Sequence, residues 1–447
     1  MGFIEQIPLI GPTLYYVLPF LLVLGIVVAV HEYGHYIVAK WCGVHSDVFS
    51  LGFGPELFGW DDSKGTRWKV CLIPLGGYVK FRGDADAASA RPDDEAIQTM
   101  TEAELSASFP RAKLWKRAAI VAAGPIFNFV LAALIFAGVA MISGLPSDKP
   151  VVGVVVEDSD GAKAGFLEGD RILSVDGETV ETFRDFGTAV LDDTGGRREV
   201  AIERDGRRMM VPFEIVSPVT LADVTDGAAR EAGLQAGDTI RSIDGKDIRV
   251  FQDLRDAVLA SEGEPLDVEV GRGEEILRVV LTPRRTETTD ADGNPETRWL
   301  IGVTGGSSFG LGSSLERAGP VDAATYGIDA TVNILSSSLS FIADIFRGQG
   351  DSADLGGPIR IAEVSGDAAD DGFASLMRLT AILSASIGLI NLFPIPVLDG
   401  GHLLFYGIEA IRGRPLSERM QEIGLTIGLA MVVMLMVYAT YNDVMRL

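Results

Sequence analysis

Basic residues are in short supply: 38 Lys and Arg face 62 Asp and Glu, a formal net charge of -24 over 447 residues. A chain this acidic has no positive face to neutralise phosphates, which excludes nucleic acid as a partner. Cysteine is nearly absent. Cys42 and Cys71 give neither zinc-ribbon spacing nor a disulfide framework, and they read as ordinary free or buried thiols. Residues 1–13 contain no Lys or Arg, so the basic start of a signal peptide is missing. The apolar run that follows, Leu14 to Val30, is too long for a signal-peptide core and reads as a retained first span. Histidine is scarce too, four in the whole chain, yet two of them stand four residues apart at the end of that run.

Those two belong to His31-Glu-Tyr-Gly-His35, an H-E-x-x-H pattern. On a helix, residues four apart share one face, so His31 and His35 can grip one metal ion. Glu32 then lies beside the ion, placed to act as general base on its water. Ionisable groups beside or inside a bilayer are expensive, which marks the cluster as a functional site. Two ligands leave a third to be found.

Hydrophobic residues make up 47% of the chain and charged ones 22%. That mixture predicts membrane spans joined to acidic soluble domains. Four segments approach spanning length: 14–39, 118–142, 375–392 and 423–440. Basic residues crowd the loop between spans one and two (Lys40, Lys64, Arg67, Lys69, Lys80, Arg82, Arg111, Lys113, Lys116, Arg117). They also mark the short loop between spans three and four (Arg412, Arg414, Arg419). Both loops are therefore expected in the cytoplasm, with the large middle segment and both termini outside and the H-E-x-x-H near the cytoplasmic side. The first of these loops has strand character at Val48–Leu51, Trp68–Ile73 and Tyr78–Phe81, which suits either a docking edge for an extended peptide or packing of the loop against the bundle. Residues 83–108 are acidic and Ala-rich and read as a mobile or partly helical connector. In span two, Gly124, Pro125 and Asn128 read as kink and helix-packing residues.

An internal repeat follows. AGFLEGDRILSVDGETVETFRDFGTAV begins at Ala164, and AGLQAGDTIRSIDGKDIRVFQDLRDAV begins at Ala232. Each copy reads as a turn, a strand, a D-G turn and an amphipathic helix. The A-G-L-x-x-G-D-x-I-x-x-I-D-G pattern resembles PDZ domains of bacterial proteases, which bind peptides by strand addition or act as steric filters. Residues 321–346 form a further amphipathic pattern, suited to the outer membrane face or to the bundle.

Span three runs into Asn391-Leu-Phe-Pro-Ile-Pro-Val-Leu-Asp399-Gly-Gly-His402. Two prolines and two glycines break the helix at membrane depth, where irregular backbone needs cover from protein or a cavity. Asp399 in that break can cap the next helix or complete a His2Asp site with an open fourth position, the pattern of catalytic zinc, and the H-E-x-x-H on another span favours ligation. Asn391 lies on the approach, where its amide can serve the scissile carbonyl or the oxyanion, or brace the broken helix. His402 is placed for outer hydrogen bonding; His45 has no visible partner.

H-E-Y-G-H, N-L-F-P-I-P-V-L-D-G-G-H, the paired repeats, A-A-G-P-I-F-N-F, G-G-Y-V-K-F, L-G-G-P-I and P-L-S-E-R together resemble the site-2 protease family of intramembrane zinc metalloproteases, in its regulator-of-sigma-E branch. The resemblance covers nearly the whole chain, the stretch 83–108 excepted. It implies zinc held by His31, His35 and Asp399, with Glu32 as general base. It implies that Gly77, Tyr78, Val79, Lys80 and Phe81 lie on a membrane-associated β element that pairs with unwound substrate. It implies single-span substrates (an anti-sigma factor, remnant signal peptides) already trimmed by an upstream site-1 protease, and a bacterial inner membrane whose lipid surrounds the protein.

The expected fold is a polytopic α-helical membrane protein of four transmembrane helices, with two tandem PDZ-like α+β domains inserted between spans two and three. Its segments are 1–40 (first span), 41–117 (cytoplasmic loop with the β element), 118–142 (second span), 143–218 and 219–304 (PDZ-like), 305–374 (periplasmic connector), 375–402 (third span), 403–422 (cytoplasmic loop) and 423–447 (fourth span). Two rival readings are a PDZ scaffold with a vestigial metal site and a metal-binding transporter. The intact His-Glu-His-Asp set argues against the first, and two soluble domains with only four spans against the second.

Overall fold

The computed structural model describes residues 11–84, 93–157, 159–190, 197–214, 219–224, 227–235, 237–248, 251–273, 275–289, 295–305, 310–347 and 356–446. The chain divides into two compact units. One unit joins Met1–Ser143, which carries two long helices and a β element, to Ala318–Ala343 and Leu355–Leu447. The other is built mainly from Gly144–Arg317.

Among the described residues, four helices are long and apolar enough to cross a membrane: Tyr15–Cys42, Leu114–Ser143, Phe373–Asn391 and Arg419–Met445. The first lies within a 32-residue helix, Gly11–Cys42, which at 1.5 Å per residue outruns the roughly 30 Å hydrocarbon layer. Gly43, at φ +80°, ends it, and Val44 N donates back to Ala39 O at 2.9 Å. The fourth helix exposes Val433, Met434, Leu435, Met436 and Val437 together. A helix that is apolar all round, and not covered by protein, is a helix for lipid.

Small residues set how close the spans come. A Cβ at Gly34 would stand 2.6 Å from Ala123 O, so the first two spans touch backbone to backbone there. A Cβ at Gly388 would stand 2.8 Å from Phe129 Cε1 and 3.1 Å from both Asn128 Cβ and Pro125 O, all on the second span. Ala132, Phe136, Ala381 and Ala385 form a small core between spans two and three, and Ala330, Ile334 and Leu335 of the Pro320–Arg347 helix pack on it. The amphipathic pattern at 321–346 thus lies against the bundle.

β1 (Ser46–Asp61) and β2 (Arg67–Phe81) both bend, so their antiparallel pairing produces four strand segments. Residues 46–51 pair with 67–70 on one side and with 77–81 on the other, while 56–61 pair with 67–71. The segment 77–81 is therefore an edge. The element is pinned to the first span one residue beyond the metal motif. Tyr36 packs on Trp68 at 5.1 Å between ring centres and donates its hydroxyl to Asp62 at 3.0 Å. Burial raises the Asp62 carboxyl, but bonds from Thr66 N, Lys64 N, Tyr36 and Trp68 outweigh it and bring it down to about 2. Two short helices, Asp94–Thr99 and Glu102–Ser106, occupy part of the 83–108 stretch, and Arg91 and Pro92 lie outside the described residues.

In the second unit the repeat is real at the level of atoms. Asp170, 1% exposed, accepts a forked pair of bonds from Arg204, 2.6 Å each, and one from Leu167 N at 2.8 Å. At the matching place in the second copy, Asp238 accepts the same fork from Arg272, 2.7 Å each, and one from Gln235 N at 2.8 Å. Each copy orders its strands alike: 178–179, 171–175, 198–204 and 207–213 in the first; 246–247, 239–243, 266–272 and 275–281 in the second.

Two expected boundaries need correction. In the first copy, strand Val152–Val155 is partnered by Leu311–Ser313, and Leu145–Pro146 by Leu315–Glu316, all from residues expected to be connector. The second copy is closed by its own Val303–Gly305. The first copy is thus completed by chain that follows the second. A strand edge must find a partner for its backbone groups, and pairing between segments so distant in sequence leaves no local trace. Likewise 403–422, expected as a loop, is mostly helix: Asp399–Arg412 is one element, with Leu403 and Tyr406 packed on the core around Tyr36, Phe49 and Val79. Span three itself stops at Asn391.

Candidate metal centre

His31 and His35 lie one helical turn apart on the first span, each 9% exposed. Asp399 is the first residue of the 399–412 helix. Their ligand atoms converge. His31 Nε2 is 3.1 Å from Asp399 Oδ2 and 3.2 Å from His35 Nε2, and His35 Nε2 is 3.5 Å from Asp399 Oδ2. Ligands about 2.0–2.1 Å from a tetrahedral zinc stand about 3.3 Å from one another, so the triangle has the size of one zinc face. Asp399 Oδ2 is buried and makes no well-formed hydrogen bond. A buried carboxylate oxygen in that state needs a cation. Among the described residues this is the one cluster of three His, Cys, Asp or Glu ligands with such spacing.

The second span forms the back of the site. A Cβ on Gly124 would stand 2.6 Å from His35 Cε1 and 2.8 Å from His31 Cε1, so the rings lie against bare backbone. His35 Nδ1 meets Ile120 O at 2.8 Å, which leaves Nε2 for the metal. Asn128 is wholly buried, its carbonyl accepting from Ser384 Oγ at 2.9 Å and its amide 3.2 Å from His31 Nδ1. Gly124 and Asn128, expected from sequence as packing residues, also touch the ligand histidines. Their four-residue spacing was the available sign, since it matches that of the histidines.

Asp399 is delivered by the turn 392–398. Ile395 N donates to Phe393 O at 2.7 Å and Leu398 N to Ile395 O at 2.9 Å. Val397 has φ +122°, a strained setting for a β-branched residue. Neither Gly400 nor Gly401 has room for a Cβ, because each lies on the backbone of that turn. Farther along, Glu409 accepts from Arg117 at 2.6 Å and the Arg117 guanidinium stands 4.9 Å over the Tyr406 ring, tying the Asp399 helix to the second span.

The three ligands open on a cavity of about 630 Å³. Glu32, Asn391, His402 and Tyr406 line it, as do Gly77, Tyr78, Val79 and Phe81. Lys80 is not in the lining. The edge strand passes over the glutamate: a Cβ on Gly77 would be 3.0 Å from Glu32 Cγ and 2.8 Å from Ser50 O. His45 Nε2 lies 3.5 Å from Asp47, away from the site. Cys42 and Cys71 are free thiols.

Helices of spanning length around a His2Asp centre with an adjacent glutamate define a membrane-embedded zinc metalloprotease. The model of peptidase family M50 matches residues 19–435. A "Putative zinc metalloprotease" of Agrobacterium fabrum is 41% identical over 97% of this chain and 96% of its own length, and one of Vibrio cholerae is 34% identical over 96% and 98%. The chain belongs to peptidase family M50, the site-2 proteases. Among solved structures, the PDZ domain of an SdrC-like protein from Listeria monocytogenes covers 20% of this chain and 87% of its own, at 24% identity and a TM-score of 0.16.

Proposed function

We propose that this metalloprotease hydrolyses peptide bonds within the transmembrane segments of single-span proteins. The observation that carries the reading is one cavity shared by the metal ligands, Glu32 and the edge strand 77–81, among helices of spanning length. His31, His35 and Asp399 would hold zinc, which when bound would supply Lewis acidity toward the scissile carbonyl and the attacking water. Glu32 takes a proton from the attacking water and hands it to the leaving amine. Asn391 donates to the carbonyl oxygen as it gains charge. A helical substrate hides its amides in its own hydrogen bonds, so it must be drawn out first. Strand 77–81, with Gly77 over Glu32, offers backbone partners to the extended segment.

Substrates are proteins trimmed beforehand by a site-1 protease, an anti-sigma factor of a sigma-E type stress response or remnant signal peptides. The membrane is a bacterial inner membrane, with the repeat domains periplasmic and the metal motif toward the cytoplasm. The repeats, read as PDZ-like, exclude untrimmed substrates. The test compares purified protein with Glu32→Gln on a single-span substrate, with zinc measured in both. Cleavage by the wild type alone at equal zinc is expected. Equal cleavage by the two, or none by zinc-loaded wild type, refutes the protease role. Cleavage unchanged when Tyr78, Val79 and Lys80 are all proline removes the strand-addition step.

A further inference from the structure

The two ligand histidines are held by different means, and only one of those means is complete. A ring that gives its Nε2 lone pair to a cation carries its proton on Nδ1, and a buried N–H needs an acceptor. For His35 the acceptor is Ile120 O at 2.8 Å. For His31 the atom at Nδ1 is the amide nitrogen Nδ2 of Asn128, at 3.2 Å, a donor and not an acceptor. Asn128 is 0% exposed, and its Oδ1 is buried without a hydrogen-bond partner. An amide in a membrane span with an oxygen left over is costly unless that oxygen has a use.

We propose that Asn128 is the positioning residue of His31: its Oδ1 accepts the Nδ1 proton and holds the ring in the tautomer and orientation that present Nε2 to zinc. A half-turn of the amide about its last side-chain bond brings Oδ1 to the ring, and only that end of the amide can accept. Gly124 supports the arrangement from one turn earlier, since its bare backbone lets both rings bring their Cε1 edges up to the span. The contact of Asn128 with the third span is separate, because it runs from Ser384 Oγ to the Asn128 backbone carbonyl. Side chain and main chain of one residue thus do different work, and substitutions can part them. The proposal rests on the zinc centre and is independent of any substrate.

The experiment uses the full chain in detergent. Zinc affinity is read by competition with a chelator, the ligand field by the absorption spectrum of the cobalt-substituted protein, and the fold by melting of the metal-free form. Asn128→Leu is expected to weaken zinc binding about 10- to 100-fold, the usual loss when an outer hydrogen-bond partner of a ligand is removed, and to shift the cobalt spectrum. Asn128→Asp keeps an acceptor and is expected to stay within a few-fold of wild type. Ser384→Ala leaves the side-chain contact alone and is expected to bind zinc as wild type does. Where Asn128→Leu does not accumulate as folded protein, Asn128→Ala replaces it with the same expectation. Wild-type zinc affinity in the Leu or Ala variant overturns the proposal, as does an equal loss in the Asp variant. Full zinc affinity with cleavage lost would also overturn it, while leaving the protease reading intact.

Discussion

Adding one methyl group at Gly124 tests how the site is built. The new Cβ would stand 2.6 Å from His35 Cε1 and 2.8 Å from His31 Cε1, where relaxed carbon contacts are about 3.5–4.0 Å. Each ring must retreat by about 1 Å, or the first two spans must part where Gly34 holds them at backbone contact. Overpacking of this kind costs about 1–3 kcal/mol. The gain in helix propensity from Gly to Ala returns about 1 kcal/mol, so the net effect on folding is small. The metal has no such offset, because both histidines lose their aim together. Gly124→Ala is therefore expected to lose zinc affinity by at least about 10- to 100-fold and to lose most cleavage, with melting of the metal-free protein shifted by only a few degrees. Gly138 on the same span is the control, since a methyl there meets nothing within 4 Å. Gly138→Ala should keep zinc and activity. Chelator competition on both variants decides the matter: zinc bound by Gly124→Ala as tightly as by wild type would refute the role given to the second span.

Two further outcomes follow from charged groups outside the site. Asp62 titrates at about 2 in the folded protein, below the usual carboxylate value near 3.9, so it contributes stability above about pH 4 and that contribution fades as pH falls toward 2. The melting temperatures of wild type and Asp62→Asn should differ at pH 7 and converge near pH 2; a gap that widens in acid would contradict the anchoring of the β element through Tyr36. Asp443 accepts from the backbone N–H groups of Gly357, Ile359 and Arg360 at 2.8, 3.0 and 3.2 Å, capping the Pro358–Asp370 helix from the fourth span. Asp443→Ala is expected to cost that helix about 1–2 kcal/mol, and amide exchange at 359–362 should accelerate about 5- to 30-fold; unchanged exchange would refute the cap.

What could be read directly was what lies within one turn or one pleat. The H-E-x-x-H pattern put His31, Glu32 and His35 on one helix, and apolar runs placed four spans whose ends moved by only a few residues. The repeat announced two similar domains, and the Asp–Arg fork recurs at its period. Legibility failed where a segment's role is set by distant partners. Residues 311–316 show no sign of closing a strand edge at 145–155. The 399–412 helix was partly hidden because Pro394, Pro396 and two glycines made the whole stretch look irregular.

By itself the sequence determined the chemistry on offer: two imidazoles, a glutamate between them and an aspartate in a broken helix, all too costly at membrane depth to lack a use. Tertiary structure decided whether those groups meet. The ligand triangle of His31, His35 and Asp399, the bare face of Gly124 behind the rings, the Asn128 amide at His31 and the Gly77 strand over Glu32 are contacts between elements far apart in the chain. Periodicity reports which face a residue occupies. It does not report which face of which other element lies opposite, because that depends on how closely backbones approach, and at this site glycines set the distance.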